Sequence, residues 1–259
     1  MKNLSVIKIG GSTIEEWKSS LIFLKSIKDK GIPIIIVHGG GKTVSEWSSK
    51  LGIRPEFVKG LRKTDSETLE VACSILAGLI NSRLVSNLEN LGITAVGLCG
   101  VSSKVLVSSP IDDNLGLVGE ISKVNPELLI MLLENGYTPV ISPLAFNSEA
   151  KDFNSEGILN INADFVAAKI AYDLYASKII YQTDVDGILD HNGRIVPRMT
   201  LRQAKDLLNS GVIGGGMIPK LESCISALDR VARGHIINGY GDSLLKLFEG
   251  QEIGTQIFS

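Results

Sequence analysis

The chain has 259 residues, of which 44% are hydrophobic and 21% charged, so it is long enough to bury a large core without metal or disulfide support. Its formal net charge is −2, which argues against a nucleic-acid-binding surface or a polybasic membrane patch. Any anionic ligand must therefore be held by local positive charge, because the chain as a whole is slightly negative.

The N-terminus and the cysteines indicate where the protein works. The first residues pass directly into a strand-like segment and lack the apolar stretch and cleavage site of a signal peptide. The longest aliphatic run, 34–37, is far too short to cross a bilayer. Cys73, Cys99 and Cys224 have no metal-ligand spacing, which is typical of free thiols in a reducing compartment. We therefore expect a cytoplasmic protein that contacts neither membrane nor nucleic acid.

Segments typical of strands and helices alternate along the chain, which predicts an α/β fold with a largely parallel sheet. The predicted strands are 6–9, 34–37, 94–98, 138–142, 178–182 and 235–238. The predicted helices run over about 15–30, 42–51, 64–92, 126–134, 163–176, 200–211 and 220–233. The stretch 102–123 shows short β segments without a helical period, and a hairpin or helix follows residue 238. Thr64 with Glu67, and Thr200 with Gln203, have capping-box spacing and predict two helix starts.

The long helix predicted after Thr64 carries apolar residues on two faces. One face holds Leu69, Ala72, Cys73, Leu76, Ile80 and Leu84, and the other holds Val71, Ile75, Leu79 and Val85. Two apolar faces are explained either by burial inside one chain or by packing against a second subunit.

Two predicted strands end in glycine-rich turns, Gly10-Gly11 and Gly39-Gly40-Gly41. Glycine lets backbone N–H groups converge on an anion, and a following helix N-terminus adds partial positive charge. One such turn is equally well explained as a tight connection. Two of them at the carboxyl ends of parallel strands favour a ligand site, because open α/β sheets bind ligands there. Neither turn fits a P-loop, which needs glycine where Ile36 stands, and neither fits the dinucleotide-binding fingerprint.

Five polar or charged residues lie near these turns or before predicted helices. Alternation along the first strand places Lys8 on one face with apolar neighbours, which disfavours a plain solvent face. Asp164 could complement the dipole of the helix that begins at 163, but Asn160 has no such structural role. Arg62 could clamp a carboxylate, and Lys220 follows three glycines, although each alone is also typical of a surface residue.

Seven short segments, in this order and spacing, resemble the amino acid kinase family, and within it most closely the acetylglutamate kinases of arginine biosynthesis. They are 8–11 (KIGG), 38–41 (HGGG), 60–65 (GLRKTD), 125–128 (NPEL), 160–164 (NINAD), 183–189 (TDVDGIL) and 215–220 (GGMIPK). The resemblance implies a three-layer αβα sandwich in one domain, with a lobe over 1–175 for an acyl amino acid and a lobe over 176–259 for nucleotide. It implies phosphorylation of the side-chain carboxylate of N-acetyl-L-glutamate by ATP, with Mg²⁺ carried by the nucleotide.

The same resemblance implies a role for each matched residue. Lys8 and Lys220 would neutralise the transferring phosphoryl group, Asp164 would hold both lysines, and backbone amides of Gly11 and Gly40 would bind that group. Gly40, Gly41, Arg62 and Asn160 would line the acceptor site, under a lid formed by 102–123. The nucleotide would be contacted by Gly10, Asp184, Val185, Asp186, Gly187, Ile188, Leu189, Val212, Ile213 and Gly214, with no protein side chain assigned as a metal ligand.

Some alternatives and departures accompany this resemblance. The chain starts almost at its first strand, without the helical extension of relatives that form arginine-inhibited hexamers, so we expect a homodimer that arginine inhibits weakly. A kinase for aminoadipate or glutamate on an acidic carrier protein remains an alternative; Lys59, Arg62 and Lys63 offer it some basic charge. A non-catalytic amino-acid sensor is a second alternative, although binding alone would not need both lysines. An isopentenyl phosphate kinase is disfavoured, because the next histidine after the 38–41 turn is His191.

Overall fold

A computed structural model describes residues 3–10, 14–58, 60–151 and 156–259. Gly11 and Lys59 lie outside the described residues. In chain order the strands are β1 (Ser5–Ile9), β2 (Ile34–His38), β3 (Phe57–Val58), β4 (Leu61–Arg62), β5 (Ala95–Cys99), β6 (Leu106–Pro110), β7 (Gly119–Val124), β8 (Thr138–Ser142), β9 (Leu144–Asn147), β10 (Ile158–Asn160), β11 (Lys178–Thr183), β12 (Arg198–Thr200), β13 (Arg233–Asn238) and β14 (Thr255–Phe258). The helices are α1 (Ile14–Asp29), α2 (Gly41–Lys50), α3 (Ser66–Cys73), α4 (Asn81–Asn90), α5 (Glu127–Glu134), α6 (Ala163–Asp173), α7 (Leu201–Asn209), α8 (Met217–Ala227) and α9 (Ser243–Phe248), with a π-helical segment, Ser74–Ile80, between α3 and α4.

Eight strands form the central sheet, in the order β12-β14-β13-β11-β1-β2-β8-β5. Neighbours from β13 to β5 pair in parallel, while β14 pairs antiparallel with β13. Every residue of β1 and β2 is buried, as expected of central parallel strands covered on both faces. The continuous aliphatic run of β2 is what specifies this position.

Helices cover both faces of the sheet. Side chains such as Val6, Ile35 and Tyr181 belong to one core cluster, which includes apolar residues of α6 and α8. Their neighbours in sequence, Ile7 and Ile36 among them, belong to a second cluster with residues of α1, α4 and α9. The predicted three-layer αβα sandwich with a largely parallel sheet is confirmed.

Two smaller sheets lie beside the central one. Strands β6 and β7 form an antiparallel hairpin within the four-stranded sheet β10-β9-β6-β7, which accounts for the predicted short β segments of 102–123. Strands β3 and β4 form a separate two-stranded hairpin. Leu61 of β4 and Val118, just before β7, line the cleft described below, so both hairpins border it.

Some local predictions were wrong. The N-cap residue of α3 is Asp65, whose side chain accepts a 2.8 Å hydrogen bond from the Thr68 N–H. The predicted capping box of Thr64 and Glu67 is therefore not the cap. Thr64 is fully buried and its hydroxyl donates to the Arg62 carbonyl instead. The capping box of Thr200 is present. Strands β3, β4, β9, β10 and β12 were not predicted, and the hairpin or helix expected after residue 238 is the helix α9 followed by the strand β14.

The helical run Ser66–Asn90 has a buried face and a partly covered one. Val71 and Ile75, on the second predicted face, are buried within this chain, whereas Leu79 and Val85 are half-buried. The run is long and apolar enough to cross a membrane by length and composition alone, and half of its most apolar window is buried inside the protein, as in a core helix. Burial within one chain therefore explains part of the second apolar face.

Candidate active site

A cleft of about 510 Å³ opens at the carboxyl ends of β1, β2, β11 and β13. This is the edge at which the two glycine-rich turns were expected to form a ligand site. The predicted site residues that line it are Lys8, Gly10, Gly40, Gly41, Arg62, Asn160, Asp164, Asp184 and Lys220. The structure thus brings together residues from all parts of the chain.

Two lysines meet on one buried carboxylate in the cleft. The Lys8 Nζ lies 2.9 Å from Asp164 Oδ1, and the Lys220 Nζ lies 3.4 Å from Asp164 Oδ2. Lys8 is in β1, Asp164 is in the first turn of α6, and Lys220 is in the first turn of α8. Asn162 caps α6 by accepting a 2.8 Å hydrogen bond from the Asp164 N–H, which fixes the backbone that carries the carboxylate.

The electrostatics of this group leave a net positive charge. Burial would raise the pKa of Asp164, but the ammonium groups of Lys8 and Lys220 outweigh it and lower that pKa, so the carboxylate is ionised. Burial, and next the charge of Lys8, lowers the pKa of Lys220. Two ammonium groups share one carboxylate, and an anion entering the cleft would relieve the surplus positive charge.

The glycine turns are held against neighbouring strands. The Gly10 N–H donates to the Gln182 carbonyl at 3.1 Å, and the Gly39 N–H donates to the Ile9 carbonyl at 3.0 Å. Gly40 has φ of +157°, a conformation that favours glycine, and a Cβ there would lie 2.3 Å from the Ile80 Cδ1 atom, so a side chain would also displace Ile80. Gly40 caps the N-terminus of α2, whose partial positive charge adds to that of the lysines.

Arg62 is buried beside the Gly40 turn with part of its guanidinium unused. Its Nη2 donates to the Gly41 carbonyl at 2.6 Å and to the Ser45 hydroxyl at 2.7 Å, and the group stacks over the Phe57 ring. Its Nη1 is buried without a hydrogen-bond partner among the described residues. Burial lowers the pKa of Arg62, yet an arginine remains charged at neutral pH. An unpaired guanidinium nitrogen of this kind is suited to a carboxylate ligand.

Asn160 is linked to Arg62 through a buried threonine. The Asn160 Nδ2 donates to the Thr64 Oγ1 at 3.2 Å, and that hydroxyl donates to the Arg62 carbonyl at 2.9 Å. This linkage gives Asn160 the structural role that its sequence context lacks. It also couples the ends of β10 and β4 on one wall of the cleft.

Most of the predicted nucleotide residues do not line the cleft. Asp186 accepts a 2.7 Å hydrogen bond from Asn238, and the Ile188 N–H donates to the Thr255 hydroxyl at 2.8 Å, so these contacts shape the loop itself. The residues that lie outside the cleft lining are Val185, Asp186, Gly187, Ile188, Leu189, Val212, Ile213 and Gly214. Of these, Val185, Leu189 and Val212 have exposed side chains. Asp184 does reach the cleft.

Sequence reasoning missed a polar pair behind the first glycine turn. Gln182 is buried and lines the cleft, its Oε1 accepts a 2.8 Å hydrogen bond from Ser20, and its Nε2 has no partner among the described residues. A glutamine ending the apolar run of β11 was the available signal. In the part of the chain that the structure describes, no group of three or more His, Cys, Asp or Glu side chains could hold a metal ion.

Comparisons with known proteins agree with this geometry. Residues 3–238 match the sequence profile of the amino acid kinase family. An acetylglutamate kinase from Thermoanaerobacter sp. (strain X514) is 41% identical over a 263-residue alignment that covers 97% of this chain and 86% of that protein. The solved structure of smu.665 from Streptococcus mutans UA159 has a TM-score of 0.84 and 30% identity, and the match covers 100% of this chain and 99% of that one.

A second solved structure is similar over part of its length. N-acetylglutamate synthase from Neisseria gonorrhoeae, solved with coenzyme A and N-acetyl-glutamate, has a TM-score of 0.86 and 26% identity. That match covers 99% of this chain and 59% of the synthase chain. Profile, sequence and structure all lead to one assignment: the chain belongs to the amino acid kinase family.

Proposed function

We propose that this protein is an acetylglutamate kinase. It transfers the γ-phosphoryl group of ATP to the side-chain carboxylate of N-acetyl-L-glutamate, and the products are N-acetyl-L-glutamyl 5-phosphate and ADP, in a step of arginine biosynthesis. The observation that carries the chemistry is the pair of lysines on the buried Asp164 carboxylate, at 2.9 Å and 3.4 Å. The acceptor is supported by relatives of that name at about 41% identity over 97% of the chain.

The reaction joins two groups of like charge. A carboxylate oxygen of the acceptor forms a bond to Pγ while the bond from Pγ to the β–γ bridging oxygen breaks, and ADP leaves with the electron pair. Two unit charges about 4 Å apart repel by about 4 kcal/mol at an effective dielectric constant of about 20. The acceptor needs no general base, because a carboxylate is already ionised at neutral pH. Catalysis therefore consists of positioning and charge neutralisation.

Lys8, Lys220 and Asp164 supply that neutralisation. The two ammonium groups bind the transferring phosphoryl oxygens, and Asp164 keeps both side chains in place when no anion is bound. Backbone amides of Gly40 and of Gly11, which lies outside the described residues, donate to the same oxygens. The support for these roles is the cleft position of both lysines and the conformation of Gly40.

The acceptor is held by its other polar groups. The unpaired Nη1 of Arg62 receives the α-carboxylate, and Asn160 contacts the acetamido group beside Gly40 and Gly41. The lobe over 1–175 supplies these contacts. Acetylation converts the α-ammonium group of glutamate, which would be a third charge, into a neutral amide. A neutral amide suits a cleft wall built from Asn160 and apolar side chains such as Leu76 and Val118.

The nucleotide is assigned to the lobe over 176–259. The proposed contacts are those of the sequence resemblance: Gly10, Asp184, Val185, Asp186, Gly187, Ile188, Leu189, Val212, Ile213 and Gly214. Asp184, which lines the cleft, is chemically suited to help hold the Mg²⁺ that accompanies ATP. When bound, that ion neutralises charge on the β- and γ-phosphate oxygens.

The proposal includes a homodimer in the cytoplasm. Leu79 and Val85, half-buried on the helical run Ser66–Asn90, support a subunit contact, and the free thiols of Cys73, Cys99 and Cys224 support a reducing compartment. Sedimentation velocity is expected to give twice the chain mass. A monomer at concentrations well above those of the assay would refute the dimer.

Trapping of the acyl phosphate tests the reaction. The protein is incubated with MgATP, hydroxylamine and one acceptor from a panel of N-acetyl-L-glutamate, glutamate, aspartate and carrier-protein-bound glutamate or aminoadipate. We expect hydroxamate and ADP in equal amounts with N-acetyl-L-glutamate. Preference for a carrier-bound acceptor would assign the carrier-protein kinase instead. Binding of N-acetyl-L-glutamate without any hydroxamate would indicate a sensor.

A further inference from the structure

We infer that His38, held by Asn81, fixes the direction in which the Gly40 N–H points and is thereby a positioning residue for phosphoryl transfer. This inference rests on the proposed function for its kinetic consequences. Its structural basis is a chain of hydrogen bonds through His38 and Asn81, neither of which lines the cleft.

His38 ends β2 and is fully buried directly before the turn. Its Nδ1 lies 2.9 Å from the Gly39 carbonyl oxygen. Its Nε2 lies 3.0 Å from Nδ2 of Asn81, which also lies 3.0 Å from the Val140 carbonyl oxygen. Both ring nitrogens are therefore engaged, one by the turn and one by the first residue of α4.

The partners of Asn81 determine the tautomer of His38. A carbonyl oxygen only accepts, so the Asn81 group facing Val140 is the amide NH₂, which only donates. The His38 Nε2 must then be an acceptor, and the ring proton must be on Nδ1, where it donates to the Gly39 carbonyl. Burial lowers the pKa of His38 to about 4, so the ring is neutral at neutral pH and this single tautomer is populated.

The Gly39 carbonyl and the Gly40 N–H belong to one peptide unit, so the hydrogen bond from His38 to that carbonyl also orients that N–H. In a trans peptide the C=O and the following N–H point in opposite directions, and the described residues contain no cis peptide bond. A carbonyl pulled inward by His38 therefore turns the Gly40 N–H outward. Among the described residues no backbone acceptor takes this N–H, and Gly40 lines the cleft. The amide is left available for an anion.

The surrounding packing leaves little freedom for another arrangement. A Cβ on Gly97 would lie 2.1 Å from the Asn81 Oδ1 atom, so the missing side chain of Gly97 makes room for the Asn81 amide. The π-helical segment Ser74–Ile80 places Leu76 and Ile80 beside Gly40, and Leu76 also lines the cleft. Irregular helical turns of this kind are frequent at functional sites. Here the segment leads directly into Asn81, which contacts His38.

Nitrogen-15 NMR of the histidine ring in the wild-type protein tests the tautomer directly. We expect a pyrrole-type shift for Nδ1 and a pyridine-type shift for Nε2 of His38, unchanged between about pH 6 and pH 8, because the ring stays neutral. A protonated Nε2 with an unprotonated Nδ1 would overturn the inference. This measurement needs neither turnover nor any variant that could fail to fold.

A matched pair of variants tests the effect on catalysis. In His38→Asn the side-chain amide nitrogen can occupy the place of Nδ1 and still donate to the Gly39 carbonyl. In His38→Gln the side-chain amide instead reaches the place of Nε2, where its oxygen can accept from Asn81, and no group is left to donate to the Gly39 carbonyl. Both variants bury one amide in place of the ring, so their thermal unfolding midpoints should be similar.

We expect His38→Gln to lose about 10²-fold in kcat with little change in either KM, the pattern of a donor that acts in the transition state. His38→Asn should recover most of that loss. Equal losses in kcat, or wild-type kcat in His38→Gln, would overturn the inference. Wild-type protein that forms no acyl phosphate would refute the proposed function instead, while the NMR result would stand on its own.

Discussion

Replacing Asp164 by asparagine is the most direct test of the charge arrangement in the cleft. The substitution keeps the shape of the side chain and removes one negative charge. It leaves the side chains of Lys8 and Lys220, which are 8% and 12% exposed, without the carboxylate between them. We expect a loss of stability and of activity that a more exposed ion pair in the same helix does not reproduce.

The size of the stability loss follows from the two distances. At an effective dielectric constant of about 20, one charge pair at 2.9 Å and one at 3.4 Å correspond to about 6 and about 5 kcal/mol of attraction. Much of that attraction is offset by the cost of burying the three charges. Removing one partner of a buried ion pair costs about 3–5 kcal/mol in practice, because the other charge is left uncompensated. We expect Asp164→Asn to fall in that range.

A matched control lies in α6 itself. Asp173 pairs with Lys169 at 3.2 Å, and its side chain is 19% exposed against 5% for Asp164. Asp173→Asn should cost less than about 1 kcal/mol, because solvent screens a pair of this kind. Urea unfolding measures both variants, and hydroxamate formation measures kcat, which should fall by about 10²-fold or more in Asp164→Asn alone. Equal stability losses in the two variants, or normal turnover by Asp164→Asn, would refute the reasoning.

Three further predictions use the same assays. Lys8→Ala or Lys220→Ala should lower kcat by about 10²–10³-fold, since each removes a charge that stabilises the transferring group; turnover near the wild-type rate would exclude that lysine from the mechanism. Arg62→Ala should mainly raise the KM for N-acetyl-L-glutamate, because the unpaired Nη1 is assigned to its α-carboxylate; a selective rise in the KM for ATP would contradict this. Burial lowers the pKa of His38 to about 4 and that of His235 to about 3, against 6.5 when unfolded. Below about pH 6.5 the unfolded chain therefore binds more protons than the folded chain. The contribution of each neutral histidine to the free energy of unfolding is fully present above that pH and is lost as the pH falls towards 4 and 3. The expected loss is about 2 kcal/mol for each histidine between about pH 7 and pH 5. Urea unfolding at these two pH values measures the loss, and equal stability at both would refute the prediction.

The parts of the fold that the sequence predicted are those with local signals. The aliphatic run of β2 predicted a central parallel strand. The alternation of strand-like and helix-like segments, with glycines at their ends, predicted the parallel sheet and the order of the helices. The cap of α3 was missed because Thr64 and Asp65 are adjacent and both suited to the position. Burial of Thr64 beneath Asn160 decided between them, and that contact joins residues 96 positions apart. Short strands such as β12, at the edge of the central sheet, and β14, beside it, have no strong pattern of their own.

The candidate site also has parts with a local sequence signal and parts without one. The roles of Lys8, Asp164 and Lys220, including the contact of both lysines with Asp164, were implied by the resemblance, although the three residues lie on elements from different parts of the chain. The hydrogen bond of Asn81 to His38 joins residues 43 positions apart and has no local signature. Gln182 with Ser20 spans 162 positions. Contacts of this kind become visible only once the sheet order places the strand ends side by side.

The protein carries a net negative charge, whereas its cleft carries a net positive charge. Most of the positive side chains of the cleft differ from the surface charges in being largely buried. The chain carries a formal net charge of −2, yet the cleft is lined by Lys8, Lys42, Arg62 and Lys220 against two carboxylates, Asp164 and Asp184. Salt screens the interactions of charges that are exposed to solvent. The side chains of Lys8, Lys220 and Arg62 are mostly withdrawn from solvent, so salt weakens their interactions less. Raising the salt concentration should therefore change the rate of substrate association more than the rate of phosphoryl transfer. Stopped-flow binding and single-turnover experiments over about 0.05–0.5 M salt separate the two, and a transfer step that slows as steeply as association would place the catalytic charges in contact with solvent.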